Sequence, residues 1–525
     1  MGLSRRMFQL GLAGAAVRAI TGGAGGSVLR AQQKGPQVTR HFDTIQIDNG
    51  FQVIDHFGAS DCWSFQKIGA WSLASKNLVS DLLFSMDSGI GLSLWRFNIG
   101  GGINPQITNP WRTVETFEIA QGQYDWTRQA NERWFLQAAK ARGVPQFLAF
   151  VNSPPGRLTR NGLTFCSNTA DTTNLQSGME GQYATYLTDI LEHFERNPDP
   201  TDQLTFQYIS PVNEPQWDWT GNSQEGNRAS NADIVRITQA LAAELGPRKL
   251  TAQIALAESG SLPDMGALDG NASSRWGTPY GDYVDVFLND PSMSGLLAGH
   301  IGYHSYWSDL LYGPLVSDRQ ALGAKMAQYP GWNLWQTEYC ILQGSFGEGG
   351  NGRDLTMQTA LEVARIIHLD MTVSGASAWN WWTAVSQADY KDGLIYTDGQ
   401  QPGDPETIYP ARTLWALGNY SRFVRPGMQR VELDGPLHSV TGVMGSAYKN
   451  AASRQVVAVY LNMTSQPQSV VMDFQTSAGW QLASITPYVT SDRALDQLRA
   501  LPAVAQNQPF ALPAQSVVTF VAQFG

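Results

Sequence analysis

Between residues 56 and 424 the chain alternates short apolar runs with amphipathic stretches eight times, and no other feature restricts its fold as much. The runs, rich in β-branched and aromatic residues, stand at 56–60, 91–98, 146–152, 207–213, 251–257, 300–306, 334–338 and 376–381. Stretches with helical spacing follow them at 73–86, 129–141, 181–196, 231–245, 282–289, 316–329, 354–371 and 409–423. Strands that each feed a helix predict a parallel sheet with helical crossovers, and eight such units close a (β/α)8 barrel. An open doubly wound sheet is the competing arrangement. No Gly-x-Gly-x-x-Gly turn follows any of the runs, as a nucleotide-binding sheet of that kind requires.

After Arg425-Pro426-Gly427 the pattern changes to short alternating runs at 440–448, 455–461, 469–474 and 515–521, separated by turn residues. That texture is all-β. Ahead of the barrel, residues 41–54 alternate in the same way and reach Asn49-Gly50, which predicts a hairpin pair. These strands have no partner in the barrel. The expected fold is therefore α/β, a TIM barrel over 56–424 with an attached β-sandwich side domain built from 32–55 and 425–525. The first 31 residues are set apart from both. Ser4-Arg5-Arg6-Met7-Phe8, with small and apolar residues through Ile20, resembles a twin-arginine export signal, although Arg18 interrupts the apolar stretch. An exported protein, periplasmic or extracellular, is expected. No later run reaches the roughly 20 apolar residues of a membrane span.

The charges, 35 basic against 45 acidic, leave a formal net charge of −10. That balance disfavours nucleic acid and anionic membrane surfaces and suits a neutral substrate. Seventeen Trp raise the question of where the indoles go, since sugar clefts use such rings as platforms and cores bury them. Cys62, Cys166 and Cys340 are too few for a disulfide framework and are expected to be buried thiols. The 7 His include no ligand-spaced pair on one helix, so neither a metal nor another cofactor is expected. The chain is expected to act as a monomer.

The run from Gln207 ends in Asn213-Glu214-Pro215, where proline stops the strand and leaves Glu214 at its carboxyl end beside Trp217 and Trp219. The run Leu334-Trp335-Gln336-Thr337-Glu338 ends the same way. Either carboxylate alone could be a helix cap or an arginine partner. Two of them at the mouth of one barrel are the equipment for cleaving a glycosidic bond. The other strand ends add Ser60, Asp61, Arg96, Asn98, Asn152, Ser153, Glu258, His304, Tyr306, Trp379 and Trp381. Each could be structural, as a core histidine or a buried arginine often is. Their convergence favours a site. Asp61, Trp63, Arg96, Asn152, Ser153, Asn213, Trp217, His304, Tyr306, Trp379 and Trp381 are the candidate substrate contacts.

These stretches together resemble glycoside hydrolase family 30, a clan A family. The resemblance is carried by Phe57-Gly-Ala-Ser-Asp61, Leu92-Ser-Leu-Trp-Arg-Phe-Asn-Ile-Gly100, Phe150-Val-Asn-Ser-Pro-Pro155, Pro211-Val-Asn-Glu-Pro215, Trp335-Gln-Thr-Glu338 and Leu417-Gly-Asn-Tyr-Ser-Arg-Phe-Val-Arg-Pro-Gly427. It implies a barrel fused to a sandwich and retaining hydrolysis of β-linked sugars. By position Glu214 matches the acid/base and Glu338 the nucleophile, while Arg96 and Asn213 match residues that hold the nucleophile and the adjacent sugar hydroxyl. Retention implies carboxyl groups roughly 5–5.5 Å apart. Arg96 is expected to lower the pKa of Glu338 and keep it ionised. The acid must carry its proton near neutrality, which apolar walls and a neighbouring negative charge favour.

One departure bears on the substrate. Glucuronoxylan-cutting members of the family use a basic residue after the last barrel strand, and residues 383–397 offer only Lys391. The resemblance is nearest to members acting on β-1,6-galactan, with β-1,6-glucan, β-fucoside or β-xyloside cleavage as alternatives. A non-catalytic carbohydrate-binding protein would also explain the aromatics but not two strand-end glutamates. A flexible β-1,6 chain calls for platforms at angles, which Trp63, Trp217, Trp219, Trp307, Trp379 and Trp381 could supply. Asp61, Asn152 and Ser153 are the expected readers of the sugar epimer.

Overall fold

Eight parallel strands form the centre of the molecule: β1 (His56–Ser60), β2 (Leu94–Asn98), β3 (Gln146–Phe150), β4 (Tyr208–Ser210), β5 (Gln253–Ile254), β6 (His300–His304), β7 (Asn333–Glu338) and β8 (Ala378–Ser386). The computed structural model describes residues 40–166, 173–399, 403–435 and 439–525, all within the unit Val38–Gly525. The expected export signal lies outside the described residues. Hydrogen bonding runs β8-β1-β2-β3-β4-β5 on one side and β8-β7-β6 on the other. Isolated parallel bridges, Ile254 to Leu297 and Ser259 to Tyr303, join the β5 and β6 segments and complete the ring.

Alternation along each strand sorts the side chains into two cores. On β2, Trp95 and Phe97 face the helices, where Trp95 meets Phe65 and Phe84 edge-on at 5.1 and 4.9 Å. Leu94, Leu148, Phe150, Trp335 and Ala378 fill the ring's interior. Above them, toward the carboxyl ends of the strands, the interior turns polar.

The helices fall close to the expected stretches, with differences that have local causes. Helix Asn231–Arg248 begins at a capping box between Ser230 and Asp233 and runs past Gly246-Pro247, where it was expected to stop. Proline's own dihedral is helical, and in the last turn it forfeits only one hydrogen bond. Helix Met357–Leu369 is buried on nearly every face because it lies between the barrel and a second sheet.

That second sheet has nine strands in one hydrogen-bonded path. Strand Arg40–Val53 sits inside it, antiparallel to Gln429–Asp434 and parallel to Gln468–Gln475. The expected hairpin at Asn49-Gly50 does not form. One strand runs through, with register shifts on either side of Gly50, and a Cβ there would stand 2.2 Å from the Gln429 side chain. The turn signal marks an irregularity in a long strand, because both partners come from the other end of the chain. Strands Phe510–Leu512 and Ser516–Phe524 stand ninth and third in the path, yet Phe510 and Phe520 meet at 4.9 Å. The sheet therefore curls over its own core of Ile45, Ile47, Val431, Leu433, Ala458 and their neighbours. Its other face packs Val457, Val459, Leu461 and Val517 against the barrel's helices.

Candidate active site

The polar layer of the barrel is organised around Arg96, which β2 points inward and which is 1% exposed. Its guanidinium lies 3.7 Å from the Phe150 ring centroid. Nη1 donates to Glu338 Oε2, and Nη2 donates to Glu258 Oε2 at 2.9 Å and to Asn213 Oδ1 at 3.1 Å. Tyr306 Oη donates to the other oxygen of Glu338 at 2.9 Å. Asn213 in turn donates to Asn152 Oδ1 at 3.3 Å, and Asn152 to Asn98 Oδ1 at 3.2 Å. One line of amides thus ties β2, β3 and β4 to the arginine.

Glu214 is held by its backbone. Its φ of 43° is the left-handed region, which costs a non-glycine residue about 1–2 kcal/mol. Its N–H donates to Glu258 O at 2.9 Å, and Trp219 Nε1 donates to its carbonyl at 2.9 Å. Gly260 leaves the space this needs, since a Cβ there would stand 2.2 Å from Trp217 Nε1 and 3.0 Å from Glu214 Oε1.

His304, fully buried at the end of β6, stands among three carboxylates. Nδ1 is 3.0 Å from Glu214 Oε1 and 3.6 Å from Glu338 Oε1, and Nε2 is 3.3 Å from Glu258 Oε2. Burial alone would lower its pKa, but the charge of Glu338 and the bonds to Glu214 and Glu258 raise it to about 10. The rise favours its protonated form. Glu258 is desolvated too, yet Arg96 and His304 hold its carboxyl below the usual range. Glu338 departs from expectation. Burial pushes its carboxyl up by more than His304 and Arg96 pull it down, and Glu214 adds to the rise. Both of its oxygens nonetheless accept hydrogen bonds, as an anion does.

Glu214, His304 and Glu338 each offer an atom within 4.8 Å of the others. A nearest-oxygen separation of at most 4.8 Å between two carboxylates suits displacement at a carbon held between them.

The two glutamates open onto a cleft of about 570 Å³ that is also lined by Asn152, Asn213, Trp217, Trp219, Tyr306 and Trp307. Seven of the eleven expected contacts do not line it: Arg96 and His304 lie buried against the glutamates, and five lie elsewhere. Asp61 is buried, its Oδ1 accepting from Asn98 N at 2.9 Å, and burial drives its pKa well above the usual range. Ser153 is buried and donates to Pro154 O at 3.0 Å. Trp379 and Trp381 face the helices, with Nε1 bonded to Asp370 Oδ2 at 2.9 Å and to Asp392 O at 2.7 Å. Trp63 is nearly buried behind Trp382, edge-on at 5.1 Å. Sequence reasoning missed Arg112, Gln224, Cys340, Leu342, Trp382, Tyr390 and Asp392 on the cleft wall. Period-two alternation would have found Trp382, because Ala378, Asn380 and Trp382 share the face opposite Trp379 and Trp381. All three cysteines are free and buried.

A parallel barrel with a carboxylate pair in an aromatic-lined cleft at its carboxyl end defines a carbohydrate-cleaving hydrolase. Comparison with known proteins gives the family: residues 42–396 match O-Glycosyl hydrolase family 30, and the chain belongs to it as an O-glycosyl hydrolase. It is similar to an endo-β-1,6-galactanase of Hypocrea rufa, 24% identical over 493 residues that cover 87% of this chain and 88% of that one. Among solved structures it is similar to a conserved exported protein from Bacteroides fragilis, with a TM-score of 0.80, 29% identity, and coverage of 91% of this chain and 100% of that one. The catalytic domain of a family 30 xylanase C from Talaromyces cellulolyticus superposes with a TM-score of 0.65 at 21% identity, over 92% of this chain and 100% of that one. Among the described residues no helix is long and apolar enough to cross a membrane.

Proposed function

We propose that the protein is a retaining hydrolase of β-1,6-galactan, with Glu338 as nucleophile and Glu214 as acid/base. The observation that carries the mechanism is the carboxylate separation, at most 4.8 Å between nearest oxygens. Retaining enzymes hold their two carboxyls roughly 5–5.5 Å apart and inverting ones roughly 6.5–9.5 Å, so such a close approach of the oxygens favours retention. In the first step Glu214 gives its proton to the glycosidic oxygen while Glu338 attacks the anomeric carbon. The bond to the leaving group breaks and a glycosyl ester forms. In the second step Glu214 takes a proton from water, which attacks the same carbon and releases Glu338. Arg96 and Tyr306 hold the Glu338 oxygens throughout. Once Glu338 is an ester, the anionic Glu214 becomes the natural partner of the His304 imidazolium 3.0 Å away.

The galactan reading is supported by the near full-length similarity to an endo-β-1,6-galactanase. A neutral substrate suits the net charge of −10, and Lys391, the basic residue after the last barrel strand, is turned to the Gly349 carbonyl at 3.3 Å. The same reading includes export to the periplasm or beyond, a monomeric state, and a sandwich-type side domain made from both ends of the chain. The test is proton NMR of the purified enzyme on β-1,6-galactan. Initial release of the β-anomer is expected. Initial α-anomer would overturn retention, and higher kcat/KM on β-1,6-glucan would overturn the galactan choice alone.

A further inference from the structure

Asp392 follows β8 and opens strand Gly393–Tyr396 on the cleft wall. Its backbone is fixed, since its carbonyl accepts from Trp381 Nε1 at 2.7 Å. Its side chain is 7% exposed; the Ser386 hydroxyl is near enough to lower the carboxyl's pKa, but Oδ1 meets no donor at hydrogen-bond geometry among the described residues. A buried carboxylate oxygen left without a donor carries a desolvation cost, and among the described side chains in that state Asp392 is the one that lines the cleft. Arg112 lines the same cleft. It gives Nη1 to Gln224 Oε1 at 2.8 Å and joins no ion pair among the described residues. Between these two groups the cleft offers one acceptor and further donors, with Trp382 beside them.

A sugar hydroxyl answers both at once, because it donates to a carboxylate while accepting from a guanidinium. A uronate answers only the arginine and is repelled by the aspartate. Glu338, Cys340, Arg112 and Asp392 line one cleft, so the pair shares the space that the nucleophile faces. We propose that Asp392, with Arg112, reads a hydroxyl of the sugar bound over Glu338, one remote from the anomeric carbon, and so decides which neutral glycone the enzyme accepts. The inference rests on the assignment of Glu338 as nucleophile. Burial keeps the Asp392 carboxyl at about 6, consistent with a group left dry when no sugar is bound.

The test pairs removal of the protein group with removal of single substrate groups. Wild type, Asp392→Ala and Asp392→Asn are assayed on the 4-nitrophenyl β-hexoside that the wild type cleaves fastest and on its 3-, 4- and 6-deoxy analogues. Failure of the galactan reading thus changes the parent sugar and not the test. Asp392→Ala is expected to lose roughly 100-fold in kcat/KM on the parent, but less than about threefold on the one analogue lacking the hydroxyl it reads. Asp392→Asn keeps an acceptor and is expected to recover most of the loss on the parent. Equal losses on every analogue would make Asp392 a structural residue and overturn the proposal. So would full activity of Asp392→Ala on the parent. Thermal unfolding of both variants separates either result from misfolding.

Discussion

His304→Gln removes the one imidazolium among three buried carboxylates, and its effect on stability can be worked from the site. The folded pKa is about 10 against an ordinary 6.5. Folding therefore binds the proton more tightly by about 3.5 units, or roughly 5 kcal/mol at about 1.36 kcal/mol per unit. The pKa is raised, so this stabilisation is complete below pH 6.5 and is lost as the pH climbs to 10. Against a total stability of about 5–15 kcal/mol it is a large share. Urea unfolding of wild type and variant at pH 6, 8 and 9.5 gives the difference directly. It should be largest at pH 6, smaller by about 2 kcal/mol at pH 8, and nearly gone by pH 10. A carboxylate that takes up a proton in the variant reduces the difference without changing the sign of its slope. A difference that stayed constant across this range would refute the imidazolium.

The remaining predictions concern the catalytic pair, the sheet and a buried ion pair. Glu214→Ala should lose about 10²–10⁴-fold on substrates with poor leaving groups and little in the first step on good ones. Azide should then restore turnover as the β-glycosyl azide. Glu338→Ala with azide should give the α-glycosyl azide, and the opposite products would reverse the two roles. Removing residues 40–53 takes out a strand hydrogen-bonded on both sides, so the melting temperature should fall; an unchanged profile would show that the strand is dispensable. Arg319→Met leaves the fully buried Asp370 without its ion-pair partner, with Tyr303, Ser305 and Trp379 still donating to it. The expected loss is about 3–5 kcal/mol in denaturant unfolding. A loss under about 1 kcal/mol would show that those neutral donors suffice.

What could be read in the sequence was whatever depended on neighbours along the chain. Glu214 and Glu338 could be placed on the cleft because proline or an aromatic cluster ends each strand and the barrel topology fixes where strand ends point. Trp379 and Trp381 were misplaced because counting aromatics at a strand end ignores which face alternation gives them. Asp61 and Ser153 were misjudged for a related reason: a polar residue at a barrel mouth is as useful for holding a backbone N–H, as Asp61 does, or a backbone carbonyl, as Ser153 does, as for touching substrate. Arg112, Tyr390 and Asp392 lie in loops, where no period marks direction, and only the folded chain brings them to Glu338. The direction of the Glu338 shift was also out of reach, since it depends on how completely water is excluded. The hairpin at Asn49-Gly50 failed because its strand's true partners lie far along the chain.

That last pairing has a consequence for how the protein is made. Gln46 and Gln475 are hydrogen-bonded although 429 residues separate them. During synthesis the strand Arg40–Val53 emerges before either neighbour, since Gln429–Asp434 and Gln468–Gln475 lie far downstream of it. Its edges stay open until the rest of the chain exists, and the large loop then has to close in one late event. The sheet works as a clasp. A chain cut before residue 468 leaves the first strand with one neighbour, Gln429–Asp434, and its other edge open, so a loss far along the sequence is felt at this strand.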